Sequence, residues 1–145
     1  MLRIFQYDGP TLFTLMQKID IVSLPPDATV EDAIKAMAEA NIGSILVVEE
    51  GKLVGIFTER DLLVKVSAKG LDPSKVKLRE VMTANPIAAK PDWTAAEALE
   101  VMAYYGFRHL PVVDDDGRVV GIVSIKDVCR ALTQTIDVDE LHTAD

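Results

Sequence analysis

The sequence predicts a mixed α and β (α+β) fold built from two repeats related by a pseudo-twofold axis, each running strand, helix, strand, strand, helix. Three observations predict it. The chain repeats itself at a fixed spacing, the hydrophobic period changes in the same order in both copies, and each copy carries the same short signature late in its course.

Displacing the chain by 65 residues lays Pro26, Asp27, Thr29, Ala33, Met37, Ala38, Val47 and Val48 onto Pro91, Asp92, Thr94, Ala98, Met102, Ala103, Val112 and Val113. One extra acidic residue in the Asp114-Asp115-Asp116 turn makes the displacement 66, and Gly51, Val54, Gly55, Ile56 and Asp61 then fall on Gly117, Val120, Gly121, Ile122 and Asp127. A slip confined to a turn leaves strand register intact. Upstream, Leu15-Met16 and Val81-Met82 precede the first apolar stretch of their copies.

Each copy opens with a short apolar segment, Ile21-Val22 or Ile87-Ala88, read as a strand. Val30, Ile34, Met37 and Ala38 follow at i, i+4, i+7 and i+8, one face of a helix, and Ala95, Leu99, Met102 and Ala103 repeat it. Ser44 to Val48 is a β-branched run, followed by the turn Glu49 to Lys52 and a second run from Leu53 to Phe57, which together predict a hairpin. Leu110 to Val113, the turn Asp114 to Arg118, and Val119 to Val123 predict its counterpart, with a helix starting at Ser124. Pro111 removes a ladder donor and predicts a strand entry or an edge.

These elements divide the chain into an N-terminal arm (1–11), repeat 1 (12–66), a connector containing Gly70 and Pro73 (67–77), repeat 2 (78–132) with a helical turn near Leu78 to Met82, and an acidic tail containing His142 (133–145). Leu2, Ile4, Phe5 and Tyr7 give the arm an apolar side for docking. Copies of about 50 residues are marginal alone, so the two are expected to share one domain.

At 145 residues and 49% hydrophobic, the chain has the means to bury a core. Its formal net charge of -8, with no basic run to offset it, argues against nucleic acid. No apolar run approaches the roughly 20 residues of a membrane span, and the amino terminus lacks a signal-peptide layout, so a cytoplasmic protein without a membrane partner is expected. Cys129 is the only cysteine, which excludes an internal disulfide and a CxxC metal cluster; it is read as a small apolar filler of the last helix.

The signatures are Gly55-Ile56-Phe57-Thr58-Glu59-Arg60-Asp61 and Gly121-Ile122-Val123-Ser124-Ile125-Lys126-Asp127. Thr58-x-x-Asp61 and Ser124-x-x-Asp127 have the spacing of helix caps, and capping alone accounts for it. The same parts suit a ribose phosphate: the carboxylate accepts from a cis-diol, while the hydroxyl and free amides donate to phosphate. A glycine inside a strand often marks the close approach of another backbone or a ligand. Arg108 and His109, where the first copy has Gly43 and Ser44, add a planar fork of donors and a titratable imidazole. A surface ion pair for Arg108 and a satisfied imidazole for His109 remain open. Arg60 and Lys126 are read as solvated residues of first helical turns.

With its doubled Gly-apolar-apolar-Ser/Thr-x-x-Asp signature and the stretch Phe107-Arg108-His109-Leu110-Pro111-Val112-Val113-Asp114, the chain from about Leu12 to Leu132 resembles a tandem pair of CBS domains, the Bateman module. Its layout is similar to small stand-alone bacterial CBS-pair proteins. The resemblance implies copies packed sheet to sheet around two clefts that take adenosine-containing ligands: AMP, ADP, ATP, NADH or S-adenosylmethionine. It implies that the first cleft is formed by Thr58, Asp61, Ile87, Phe107, Arg108, His109 and Pro111, and the second by Val22, Ile42, Gly43, Ser44, Leu46, Ser124 and Asp127. Ribose falls to the aspartates, ribose or phosphate to Thr58 and Ser124, adenine to the apolar residues, and phosphate to Arg108 and His109. The Asp61 cleft alone then has cations at its strand entry, and nucleotide is expected there.

The expected function is a non-catalytic regulatory sensor of an adenosine compound, acting as a homodimer or on a client protein. The alternative is a nucleotide-independent dimerisation or interaction module. No nucleophile with a base, metal-ligand set or phosphate-binding glycine loop supports an enzyme, and no catalytic cofactor is expected.

Overall fold

A computed structural model describes residues 9–16 and 20–133. The apolar arm residues Leu2 to Tyr7 and the tail with His142 lie outside the described residues.

The first part of the chain forms helix α1 (Leu12–Met16), strand β1 (Ser23–Leu24), helix α2 (Val30–Ala40), strands β2 (Ser44–Glu49) and β3 (Lys52–Thr58), and a short helix α3 (Glu59–Asp61) that continues as a π-helix over Leu62–Ser67. The second forms helix α4 (Leu78–Val81), strand β4 (Thr83–Ala84), helix α5 (Ala95–Tyr105), strands β5 (His109–Val113) and β6 (Val119–Ser124), and helix α6 (Ile125–Thr133). Strands β1 to β4 form one sheet in sequence order, and β5 and β6 form a second.

The long helices start and stop where local chemistry dictates. Thr29 caps α2 through a reciprocal box with Asp32, and Asn41, at φ 55°, ends it; Thr94 caps α5, and Gly106, at φ 76°, ends that. Val30, Ala33 and Met37 are buried, as are Ala95, Ala98 and Met102. Ala38 and Ala103, expected on that face, are exposed, because the buried stripe follows i, i+3, i+7.

Both hairpins form, each with a bulge at the same place, between Val47 and Val48 and between Val112 and Val113. The first turns on Glu50 and Gly51, both at positive φ, the geometry of a two-residue hairpin turn. In the second, the Asp114 carboxylate accepts from the amides of Asp116 and Arg118, accommodating the inserted residue.

The entry strands differ from expectation. In the first copy the strand is Ser23–Leu24, one step beyond Val22, and it runs parallel to β2, with the Leu46 N–H donating to the Val22 carbonyl at 3.3 Å. In the second copy, among the described residues, the entry segment pairs through Ala89 alone, bridging Val112. Pro111 stands where Leu46 does and has no N–H to donate, so the bond that would hold Ile87 is missing. Pro111 lies within β5, paired with Ile122 on one side, and its carbonyl accepts from Ala89 on the other.

The copies are bound together by exchange of their entry helices. Leu12, Leu15 and Met16 pack into the core of Ala98, Met102, Leu110, Val112, Val123 and Val128, whereas Leu78 and Val81 pack into the core of Val30, Met37, Ile45, Val47, Phe57 and Val66. The backbone repeats the exchange bond for bond: Leu12 N donates to Trp93 O as Leu78 N does to Ala28 O, and Ala95 N donates to Pro10 O as Val30 N does to Val76 O. Pro10 and Thr11 therefore stand where Val76 and Lys77 stand. Full burial of Leu12 and Leu78 removes apolar surface worth about 2 kcal/mol each. At the other end, Leu53 N donates to Gly117 O and Val119 N to Gly51 O, joining the tips of the two hairpins.

Candidate functional site

Each signature is a strand running straight into a helix. At the end of β3, the Thr58 hydroxyl accepts from the Asp61 N–H at 3.1 Å, and the Asp61 carboxylate accepts from the Thr58 N–H at 3.0 Å, a complete capping box. At the end of β6 the Ser124 hydroxyl accepts from the Asp127 N–H at 3.1 Å. The same box closes between Thr29 and Asp32, where both residues bond in the open. Capping therefore explains the spacing but not the burial: Asp61 is 9% exposed, with Ser44 the other buried polar residue of the described core.

Within each copy, the residue before the hairpin sits against the helix that follows it. The Gly43 carbonyl accepts from Glu59 N at 2.9 Å, and the Arg108 carbonyl accepts from Ile125 N at 2.8 Å. In register, Ser44 lies opposite Thr58, and His109 lies opposite Ser124. Glu59 closes over Gly43, its carboxyl carbon 3.3 Å from where a β-carbon would stand, so an acidic group occupies the strand entry of the first copy.

The corresponding place in the second copy is basic. The Arg108 side chain is exposed, and His109 is half-buried beside it. Burial holds the His109 pKa below its ordinary value, Arg108 lowers it further, and Asp127 opposes both. His109 is therefore a neutral imidazole near neutral pH.

The carboxylates also differ in their counter-charges. Asp61 Oδ1 pairs with Lys65 Nζ at 3.1 Å, and that ammonium also donates to the Val81 carbonyl at 3.0 Å. Asp127 has Arg130 at 3.9 Å and a more exposed side chain.

Of the apolar residues expected in the clefts, Val22 and Ile42 pack partly buried against the first core, and Ile87 and Phe107 against the second. Leu46 and Pro111 are buried within their strands. Phe107 stacks on Tyr105, with ring centroids 5.2 Å apart and planes 10° from parallel. A groove of about 280 Å³ takes in Ile42 and Gly43, walled by Met37, Leu62 and Glu59 of the same copy.

The polar contacts described here among the expected cleft residues join partners of one copy. What brings copy 2 to the Thr58–Asp61 junction is the segment Val81 to Ala84: Val81 accepts from Lys65, Met82 covers Gly55, and Thr83 and Ala84 pair with Ile56 and Gly55. Sequence reasoning passed over Lys65, Glu59 and Tyr105. Lys65 was signalled by its i+4 spacing from Asp61, and Glu59 by directly following the capping threonine.

Among the described residues no group of His, Cys, Asp and Glu is arranged to hold a metal ion, and no helix is long and apolar enough to cross a membrane. Cys129 is half-buried on α6, its carbonyl accepting from the Thr133 hydroxyl at 2.9 Å.

Comparison with known proteins places this arrangement. The model of the CBS domain matches twice, over residues 13–68 and 78–134. An uncharacterised protein of Methanopyrus kandleri, MK0525, is 37% identical over 112 residues, covering 77% of this chain and 57% of that protein. The chain spans less than two thirds of the length of the curated relatives it matches. Among solved structures, the CBS pair of MJ0100, in complex with 5′-methylthioadenosine and S-adenosyl-L-methionine, superposes with a TM-score of 0.77 at 30% identity, over 88% of this chain and 99% of that one. CBSX2 of Arabidopsis thaliana, in complex with AMP, does so with a TM-score of 0.72 at 28% identity, over 88% and 98%. With two matched domains, an unbroken internal repeat and a shared fold, the chain belongs to the CBS-domain family.

Proposed function

We propose that this protein is a non-catalytic regulatory module that binds an adenosine-containing ligand between its two CBS repeats. The observation that carries the reading is the buried Asp61 carboxylate at a strand-to-helix junction, a burial that capping does not require. The reading is supported by the ligands of the structural neighbours, which are AMP in one and methylthioadenosine and S-adenosylmethionine in another.

In this proposal Asp61 accepts from a ribose cis-diol, Thr58 contacts ribose or phosphate, and Ile87, Phe107 and Pro111 flank the adenine. Arg108 and His109, which stand beside Ser124 and Asp127 of their own copy, meet phosphate on that side. The second cleft uses Ser124 and Asp127 with Val22, Ile42 and Leu46, while Gly43 and Ser44 stand beside Thr58 at the first. With Glu59 closed over Gly43 beside Thr58, the Asp61 side suits a less anionic adenosine compound than the Asp127 side. Ligand held between the repeats shifts the population of conformers read by a partner or a second copy. Thermal shift and calorimetry with AMP, ADP, ATP, NADH and S-adenosylmethionine test this: a ligand that binds the folded state raises the melting temperature, and no response to any of them at millimolar concentration overturns it.

A second reading is favoured by the exposed Leu63 and Val64 of the π-helix and Tyr104 of α5, at 64%, 48% and 83% exposure. Here these helix faces pack against a second copy, independent of nucleotide. Sedimentation of Leu63→Lys and Tyr104→Lys variants tests it; unchanged mass for both, against a wild-type dimer, removes these faces from the interface.

A further inference from the structure

The Asp61 carboxylate is held by two donors on different oxygens, the Thr58 N–H on Oδ2 at 3.0 Å and the Lys65 ammonium on Oδ1 at 3.1 Å. An exposed i, i+4 ion pair is loosely held and contributes little. This one has a third contact, since Lys65 Nζ donates to the Val81 carbonyl at 3.0 Å. Val81 is the last residue of α4, so its carbonyl has no partner within that helix, and a lysine commonly serves carbonyls in such places. Lys65 is thereby fixed at two points, across a sequence separation of 16 residues.

The second copy is an internal contrast. Ala131 stands where Lys65 stands, and among the described residues Asp127 is paired with Arg130 alone, at 3.9 Å, beyond hydrogen-bond reach. Its side chain is 26% exposed, against 12% for Asp61.

An ionised carboxylate has about four lone-pair sites, two on each oxygen. With one taken on each oxygen of Asp61, one remains on each. That is the requirement of two adjacent hydroxyls.

We infer that Lys65 is a positioning residue, fixing the Asp61 carboxylate so that each oxygen keeps one acceptor site for a ribose cis-diol, a device that the described residues do not repeat on the Asp127 side. The inference deepens the proposed nucleotide function and rests on it. Lys65 acts through Asp61 and need not touch the ligand. Because it also anchors α4, occupancy of the carboxylate is felt at the segment leading into β4.

The test is calorimetric titration of the full chain, in an Asp127→Ala background that leaves the Asp61 cleft to report, with AMP and with 2′-deoxyadenosine 5′-monophosphate. The background protein is expected to prefer AMP, and Lys65→Met to reduce that preference by about tenfold, the equivalent of one charge-assisted hydrogen bond. Lys65→Gln retains a donor for Val81 and carries the test if Lys65→Met does not fold; its preference is expected to fall as well. An unchanged preference in a folded variant overturns the role of Lys65 while nucleotide binding stands. Binding of both nucleotides by the background protein without preference overturns the ribose contact and, with it, the role of Lys65. Binding of neither nucleotide by the wild-type chain removes the nucleotide reading itself, and Lys65 falls with it.

Discussion

Met82 lies directly over Gly55, with its Cγ 2.9 Å from where a β-carbon would stand, and Met16 covers Gly121 likewise, its Cβ 2.6 Å from that position. The glycine heading each signature is therefore required by the entry helix crossing from elsewhere in the chain. Gly55→Ala and Gly121→Ala are each expected to destabilise the fold by about 1–3 kcal/mol, as overpacking does. Gly121→Ala should cost more, because the Met16 Cβ at 2.6 Å is fixed to the backbone, whereas at Gly55 the end of Met82 can turn away and the fixed contact, the Thr83 carbonyl oxygen, is looser at 3.1 Å. Urea denaturation measures both losses, and Met82→Ala should recover part of the Gly55→Ala loss in a double-mutant cycle. Strict additivity would show that the Met82 contact is not the cause.

Asp61 has two roles that two substitutions separate. Asp61→Ala removes the acceptor for Thr58 N–H as well as the partner of Lys65, and a lost cap costs about 1 kcal/mol. Asp61→Asn keeps an acceptor for Thr58 and is expected to stay closer to wild-type stability. Both should weaken AMP binding at this cleft. Retained affinity in Asp61→Asn, measured by calorimetry, would mean that the negative charge plays no part in recognition.

Most of the architecture was legible because duplication shows each element twice, so a periodicity weak in one copy is checked by the other. Helices α2 and α5, both hairpins and both caps follow from residues adjacent in sequence. The entry strands were misplaced because their existence depends on a distant partner: Leu46 has an N–H for Val22, and Pro111 has none for Ile87. The exchange of α1 and α4 was hidden for a similar reason, since five- and four-residue helices carry too little periodicity to reveal which core they enter. At the site, the Thr-x-x-Asp junctions were readable from local spacing. The Lys65–Val81 contact and the closure of Glu59 over Gly43 arise only from tertiary packing.

His109 should make stability pH-dependent in a defined direction. Its folded pKa lies below the ordinary value of 6.5, chiefly through burial. Well above pH 6.5 both states are unprotonated and the group has no effect. As pH falls below 6.5 the unfolded chain takes up a proton that the folded chain resists, so stability declines until the folded pKa is passed. Denaturation midpoints of wild type and His109→Gln should converge at neutral pH, after correction for a constant offset, and diverge in acid. A constant difference across the range would exclude this titration.

Arg108 offers the sharpest separation of phosphate from adenosine, because its backbone and side chain are occupied differently. The backbone carbonyl is committed to Ile125 N at 2.8 Å, which any residue at that position supplies, while the guanidinium is exposed. Arg108→Gln should therefore leave the melting temperature of the ligand-free protein within about a degree or two, as for an ordinary surface change. In the proposed cleft the guanidinium faces phosphate, so the variant should lose about tenfold in affinity for AMP, more for ADP, and nothing for adenosine. A neutral His109 beside it gains charge as a phosphate approaches, so AMP binding should tighten below neutral pH and take up protons, a signal read by calorimetry in buffers of different ionisation enthalpy. Equal losses for AMP and adenosine would place Arg108 at the base or the fold, and pH-independent AMP binding would place the phosphate away from His109.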